Sequence, residues 1–203
     1  LLDNNGVYWH QLMAMGDGWV VNVTNNVAGW PQALVWVLAA DGSVQSGPVD
    51  TTEIASNDLE RAFVAELNGR LVLLYTTDGG RLWWRDLDPA TGAPLGEARD
   101  TGVSVPSNST PIRATQGPQG VHVVLRQPTG GGGYDYTLFQ ALLAPDGTRL
   151  AGPTLALELP VDHLLGGAGW AGETLVWAER QGPNSQESVI LAAAWSGGAV
   201  DRE

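Results

Sequence analysis

The amino-acid sequence predicts an all-β protein, a β-propeller built from four four-stranded blades of about 51 residues each. Short apolar runs alternate with turns rich in glycine and asparagine, and no segment carries a helical apolar period over about 12 residues. A pattern of two successive hairpins recurs four times. The closing glycines of the first hairpin turns are separated by 51, 51 and 52 residues, which an ordinary β-sandwich would not produce; they are Gly18, Gly69, Gly120 and Gly172.

Each predicted blade begins with a tight hairpin turn, where a positive φ favours glycine and asparagine. These first turns are Gly16-Asp17-Gly18, Asn68-Gly69, Gly117-Pro118-Gln119-Gly120 and Gly169-Trp170-Ala171-Gly172. A second turn joins the third strand to the fourth, at Asp41-Gly42, Asp88 to Gly92, Pro145-Asp146-Gly147 and Ser196-Gly197-Gly198. In the second blade this places the fourth strand at Ala93–Ala98. The blades occupy approximately residues 10–52, 61–102, 112–158 and 163–203, the last completed by residues 1–5.

The two ends of the chain align with the repeat as well. Gly198 to Glu203, continued by Leu1 to Asp3, align without a gap on Gly42 to Asp50. We therefore expect a whole number of repeats in one domain over residues 1–203. Either the four blades close into a ring whose ends share an outer strand, which removes an open sheet edge, or the chain is half of a larger ring. No signal peptide opens the sequence, so we expect a mature, truncated or excised form of a longer product.

The run from Tyr134 to Pro153 resembles the blade repeats of exported bacterial β-propeller proteins. In those repeats an aromatic-rich third strand leads to an Asp-Gly turn and to a fourth strand ending in Gly-Pro. Residues 34–48 and 82–96 match the same pattern. The resemblance implies a propeller fold and an exported protein of the periplasm, cell surface or exterior, and it implies no particular activity.

The composition limits the classes of ligand. The formal net charge is −12, which argues against binding to nucleic acid or to anionic membranes. The chain has no cysteine, so disulfides and thiolate metal sites are excluded. No apolar stretch approaches the roughly 18–20 residues that span a bilayer, so we predict no direct membrane insertion. We also predict no cofactor and no metal site.

One candidate site is the mouth of the central channel. The residue that opens the innermost strand is His10 in the first blade, Arg61 in the second, Ile112 with the neighbouring Arg113 in the third, and His163 in the fourth. If this position faces the axis, imidazole and guanidinium groups would gather there and suit an anion or small ligand. A metal is less favoured, because only two histidines converge and no carboxylate recurs at this register. Hydrogen bonding to neighbouring loops is the structural alternative.

The other candidate site is the face formed by the connections between second and third strands. These connections vary most between repeats, which favours specific function there: Asn25–Pro31, Thr77–Arg81, Pro128–Tyr134 and Gln181–Gln186. Tryptophans placed in loops could stack on a sugar ring or anchor a protein partner. The candidate partner-binding or glycan-binding residues on this face are Trp9, Trp30, Asp78, Arg81 and Tyr134.

The run from Thr76 to Trp83 resembles the Asp-box turn of sialidase-like propellers, Ser/Thr-x-Asp-x-Gly-x-x-Trp, with Asp78 at the central position. In that family the box is a structural turn between the third and fourth strands. Here it occurs once and between the second and third strands, so we interpret it as an ordinary turn.

The sequence supports no catalytic assignment. No Ser-His-Asp set is marked by a motif, and the neighbouring carboxylates Asp58 and Glu60 lie on a polar connector where solvation accounts for them. We therefore expect a non-catalytic binding or scaffolding module of an exported bacterial protein, with a protein or glycan partner. The alternatives are a carbohydrate-active hydrolase or lectin-like glycan binder, and a structural subunit of a larger ring or surface assembly.

Overall fold

A computed structural model of the chain describes residues 7–27, 30–51, 59–77, 79–128, 136–158, 163–171, 174–181 and 188–194. In these residues the chain forms strands and turns, which confirms the all-β prediction. The strands are β1 (Val7–Met15), β2 (Gly18–Val27), β3 (Trp30–Leu38), β4 (Val44–Asp50), β5 (Leu59–Leu67), β6 (Arg70–Thr77), β7 (Arg81–Leu87), β8 (Arg99–Ser104), β9 (Thr110–Gly117), β10 (Gly120–Pro128), β11 (Tyr136–Leu143), β12 (Arg149–Glu158), β13 (His163–Ala171), β14 (Thr174–Gln181) and β15 (Ser188–Ala194). No helix in the described residues could cross a membrane.

Consecutive strands pair into four sheets, as the repeat predicts. Sheet 1 contains β1 to β4, sheet 2 contains β5 to β8, sheet 3 contains β9 to β12, and sheet 4 contains β13 to β15. Each of the first three sheets has the four strands expected. The residues predicted to complete sheet 4, 196–203 and 1–5, lie outside the described residues. The number of blades, the closure of a ring and the single domain stay predictions.

The chain divides into two compact units, Leu1–Thr101 and Gly102–Glu203. In the first unit, β5 packs against β1, β2 and β3, and in the second unit β13 packs against β9 and β10. Burial in β3 follows the two-residue period of strands, because alternate side chains are buried. In β6, by contrast, every side chain from Leu71 to Thr76 is buried. Sheet 2 is thus covered on both faces along its second strand.

Side chains of sheet 1 satisfy the open edge of β5. The amide of Gln11 donates to the carbonyl of Val64 at 2.7 Å and accepts from the Val64 N–H at 2.9 Å. Two residues further along, Asn22 Nδ2 donates to the carbonyl of Ala62 at 2.9 Å, and the Ala62 N–H donates to Thr24 Oγ1 at 3.3 Å. An unpaired strand edge is a template for unwanted pairing, so these side chains protect the first strand of sheet 2.

The first hairpins of the four sheets correspond to one another in their strand pairing, and not in the positions of their closing glycines. Strand pairing ends at Met15↔Gly18 in sheet 1 and at Leu67↔Arg70 in sheet 2, with a two-residue turn between. Arg70, and not Gly69, therefore corresponds to Gly18. In sheets 3 and 4 the corresponding pairs are Gly117↔Gly120 and Ala171↔Thr174.

Close packing explains why two of these positions hold glycine. A Cβ on Gly18 would lie 2.3 Å from the carbonyl oxygen of Leu38, and a Cβ on Gly120 would lie 2.3 Å from that of Leu143. Gly69 has a different role, because it lies inside the turn with φ 75°. An alignment of the repeats by their last glycines is therefore shifted by one residue in sheet 2.

Three predicted boundaries are corrected. Residues 169–171 belong to β13, so the predicted turn there is wrong. The predicted fourth strand at 93–98 is also wrong: β8 begins at Arg99, and residues 93–98 contain an isolated bridge between Leu87 and Pro94. A longer turn delays the strand, since Asp88 Oδ1 accepts from the N–H groups of Ala90 and Thr91.

The predicted lengths of the connections between second and third strands are also corrected. These connections are short in sheets 1 and 2 (residues 28–29 and 78–80) and long only in sheets 3 and 4 (129–135 and 182–187).

Candidate functional site

The four residues predicted at the channel mouth do not share one register. His10 lies five residues before the end of its strand, Arg61 lies six before, and His163 lies eight before. Arg113 lies four before the end of β9. The side chains of His10 and Arg113 are exposed, and the other two side chains lie outside what the structure describes. The anion site at a channel mouth stays a prediction.

A β-bulge near the start of every first strand explains why the sequence does not show this register. The pairing shifts between Val7 and Trp9, between Leu59 and Arg61, and between Leu165 and Gly167, with a matching shift in β9. A bulge adds one residue and re-aims the side chains that follow it. A simple alternation of side chains therefore cannot be read from the sequence across these positions.

The residues predicted on the loop face fall in different environments. Trp9 and Trp30, predicted to lie in loops, belong to strands and pair with Thr24 and Val27, so this placement is corrected. Asp78 and Tyr134 lie outside the described residues. Arg81 opens β7, where its exposed guanidinium forms an ion pair with Asp100 in β8. The structure brings no two of the predicted site residues into a described contact with each other.

The structure instead shows a cleft of about 340 Å³ in sheet 2. It lies where the start of β6 meets the end of β7 and the connection to β8. This volume is near the lower end of the range of about 300–1,000 Å³ that small-molecule sites occupy. The cleft is lined by Arg70, Asp86, Leu95, Gly96, Glu97 and Arg99. We call it the sheet 2 cleft.

Two arginines converge on one carboxylate in the sheet 2 cleft. Asp86 Oδ1 accepts from Arg70, and Asp86 Oδ2 accepts from Arg99 Nη2 at 2.6 Å. The buried Trp84 donates its indole N–H to the same Oδ1 at 3.3 Å, and the Arg70 guanidinium lies 6.0 Å from the centre of the Trp84 ring. We call these three charged groups the Arg–Asp–Arg trio, and with Glu97 the charged side chains of the cleft lining sum to zero.

A buried arginine positions the wall of this cleft. Arg85 is only 2% exposed, and its Nε donates to the carbonyl of Gly96 at 2.9 Å. Its Nη1 donates to the carbonyl of Thr51 at 2.7 Å. The N–H of Leu95 donates to the carbonyl of Asp86 at 2.9 Å. Together these bonds hold the segment 95–97 along the cleft.

The Arg–Asp–Arg trio is specific to sheet 2. Thr51 donates its hydroxyl to the carbonyl of Ala33, and Thr101 donates its hydroxyl to the carbonyl of Leu82. Ala33 and Leu82 are each the sixth residue from the end of their third strand, so Thr51 and Thr101 occupy equivalent positions in the fourth-strand segments of sheets 1 and 2. When the sheets are aligned by this register and by the hairpin pairs, uncharged residues occupy the positions equivalent to Arg70, Asp86 and Arg99 in sheets 1 and 3. They are Gly18, Val37 and Val49 in sheet 1 and Gly120, Leu142 and Thr154 in sheet 3. The only sequence signal for the site is this departure from the repeat.

No described group of three or more histidine, aspartate or glutamate side chains is arranged to hold a metal ion. The chemistry of the sheet 2 cleft is that of hydrogen bonding. Guanidinium groups supply only donors, and carboxylates such as Glu97 supply only acceptors when ionised. Leu95 adds an apolar contact at its side and is 63% exposed. The cleft can therefore bind a polar ligand that both donates and accepts.

Comparison with known proteins identifies the class of fold. No protein-family model matches the chain, and no curated protein matches it. Solved structures do match, and several of them are glycoside hydrolases with the β-propeller fold. At 10–12% identity these likenesses show the fold alone.

Three of these structures come from bacteria. The arabinanase of Bacillus subtilis is 12% identical, with 91% of this chain and 72% of that chain covered and a TM-score of 0.59. The glycoside hydrolase family 43 endo-arabinanase of Bacillus licheniformis is 10% identical, with 93% and 73% covered and a TM-score of 0.62. The α-L-arabinofuranosidase of Lactobacillus brevis is 10% identical, with 95% and 75% covered and a TM-score of 0.55.

Proposed function

We propose that this chain is a carbohydrate-active β-propeller domain that binds a glycan containing arabinose. The observation that carries this proposal is the backbone likeness to an arabinanase, an endo-arabinanase and an α-L-arabinofuranosidase over more than nine-tenths of the chain. A shared fold hosts many functions, so the site must support the same class of ligand.

The sheet 2 cleft supports a glycan ligand on chemical grounds. Sugar hydroxyls donate and accept hydrogen bonds, and the cleft lining offers guanidinium donors at Arg70 and Arg99 with a carboxylate acceptor at Glu97. The exposed Leu95 offers an apolar surface to the C–H groups of a sugar ring.

Hydrolysis requires more than binding. Glycosidases use two carboxyl groups about 5–10 Å apart, one as acid and the other as base or nucleophile. Glu97 is the first carboxylate to test, because it lines the sheet 2 cleft together with Asp86. Glu66 in β5 is also exposed but does not line the cleft, so it provides a matched control.

Native affinity electrophoresis in gels containing arabinan tests the proposal, with dextran gels as control. We expect retardation by arabinan and none by dextran. A parallel assay for new reducing ends separates an enzyme from a lectin-like binder: Glu97→Gln removes activity in the first case and Glu66→Gln does not. Equal mobility in all gels together with no reducing ends would overturn the proposal.

A further inference from the structure

The contact between sheets 1 and 2 shows how two neighbouring sheets of this repeat pack. One face of sheet 1 meets one face of sheet 2 in a single buried cluster, to which sheet 1 contributes Val35 and sheet 2 contributes Val64 and Leu71. All three side chains are 0% exposed. We call the face of a sheet that corresponds to the Val35 side its forward face, and the face that corresponds to the Val64 side its backward face.

The backward face of sheet 1 is apolar and open. Counted from the end of the first hairpin, Leu12 corresponds to Val64 of sheet 2, and Trp19 corresponds to Leu71. Leu12 is 63% exposed and Trp19 is 39% exposed, although both counterparts in sheet 2 are fully buried. The apolar surface continues across the sheet to Val44, which is 62% exposed. An open apolar surface of this kind marks an interaction site.

The forward face of sheet 4 is open as well. Ala178 pairs with Ile190 as Asn22 pairs with Val35, and Ala178 and Asn22 lie equally far from the first hairpin, so Ile190 corresponds to Val35. Ile190 is 76% exposed, and Ala192 on the same face is also exposed. The chain therefore carries both halves of a sheet-to-sheet interface, and each half is uncovered.

We propose that the forward face of sheet 4 packs on the backward face of sheet 1 in a second copy of this chain. A sheet of the same repeat is the occupant that continues the observed packing, because β5 packs on sheet 1 and β13 packs on sheet 3 in the same order. A second copy supplies this sheet, because Leu12 and Ile190 are both exposed within one chain. Two copies related by a two-fold axis bury both pairs of faces and leave neither face open for further growth.

The mass of the full chain in solution is the first test. Sedimentation equilibrium is expected to give twice the mass of one chain. Leu12→Asp and Ile190→Asp each place a charge in the interface and are expected to raise the dissociation constant of the dimer more than about tenfold. Leu150→Asp is the matched control, because Leu150 is an exposed leucine of β12 in sheet 3, outside both faces. Circular dichroism confirms that each variant is folded.

Cross-linking identifies which faces meet and whether they belong to one chain or to two. The chain has no cysteine, so Leu12→Cys and Ile190→Cys each introduce a single thiol. A mixture of these two variants with a short bismaleimide is expected to give a covalent pair of chains. Each variant alone is expected to give little, because its two thiols lie on different pairs of faces. Leu150→Cys mixed with Ile190→Cys is the control.

Three results would overturn the proposal. The first is the mass of a single chain at every concentration up to the solubility limit. The second is a dimer that Leu12→Asp and Ile190→Asp weaken no more than Leu150→Asp does. The third is cross-linking that occurs only when both cysteines are in the same chain, since the two faces would then meet within one molecule. None of these measurements involves a sugar, so they succeed or fail independently of retardation by arabinan.

Discussion

Replacing Arg85 with methionine is expected to destabilise the first unit strongly. Arg85 is buried and donates to two backbone carbonyls, those of Gly96 and Thr51. A buried acceptor left without its donor costs about 1–3 kcal/mol, so the loss of both gives about 2–6 kcal/mol, of which the methionine packing recovers a part. We expect a net loss of about 3 kcal/mol. For a chain of about 200 residues this lowers Tm by about 6–12 °C.

Thermal unfolding followed by circular dichroism measures this change, and Arg81→Met is the control. The Arg81 guanidinium is 58% exposed and pairs with Asp100, and an exposed pair contributes about 0–1 kcal/mol. Arg81→Met is thus expected to lower Tm by no more than about 4 °C. Equal changes in Tm for the two variants would refute the reasoning, because the difference in burial would then have no energetic consequence.

Three further predictions follow from single contacts. Gln11→Ala removes two bonds to the backbone of β5 and is expected to cost about 1–3 kcal/mol and to speed hydrogen exchange in that strand. Gly120→Ala places a Cβ 2.3 Å from the carbonyl oxygen of Leu143, with φ 145°, and is expected to cost more than about 2 kcal/mol in urea unfolding. The hydroxyl and N–H of Ser43 donate to Asp41 and lower the pKa of its carboxyl from its ordinary value. The small stabilising effect of these bonds is therefore present at neutral pH and is lost as the pH falls through the lowered pKa.

Each of these predictions has a matched control. Gln45→Ala changes an exposed glutamine in β4 and is expected to leave stability unchanged. Gly79→Ala places a Cβ with nothing within 4 Å and is expected to be tolerated. Ser43→Ala is expected to return the Asp41 carboxyl to its ordinary pKa in an NMR titration, while the exposed Ser104→Ala is not. A neutral Gly120→Ala, or an Asp41 titration that does not respond to Ser43→Ala, would contradict the contacts described.

The sequence was sufficient to predict the strand meander and most of its turns. Turn residues with positive φ, such as Gly42 and Gly69, mark hairpins through local backbone preferences, and local preferences are visible in one sequence. The boundaries near Gly169 and Arg99 were wrong for physical reasons that are not local. A glycine-rich segment continues as a strand in β13, and the side chain of Asp88 caps a turn that delays β8.

The candidate site could not be predicted, because its register depends on tertiary packing. Gly18 is required by the approach of Leu38, whereas sheet 2 accepts Arg70 at the corresponding position. Aligning the repeats by their glycines therefore hides the arginine. Its partners Asp86 and Arg99 lie on two other strands, and no motif joins the three in the sequence.

Stability alone does not account for the Arg–Asp–Arg trio. The Asp86 side chain is 23% exposed and that of Arg99 is 48% exposed, and ion pairs in such positions contribute about 0–1 kcal/mol each. Sheets 1 and 3 form the same strand order with uncharged residues at all three positions, so the meander does not require these charges. What the trio adds to sheet 2 is an array of donors and acceptors beside an open cleft, and a polar ligand that both donates and accepts hydrogen bonds is the partner that such an array selects.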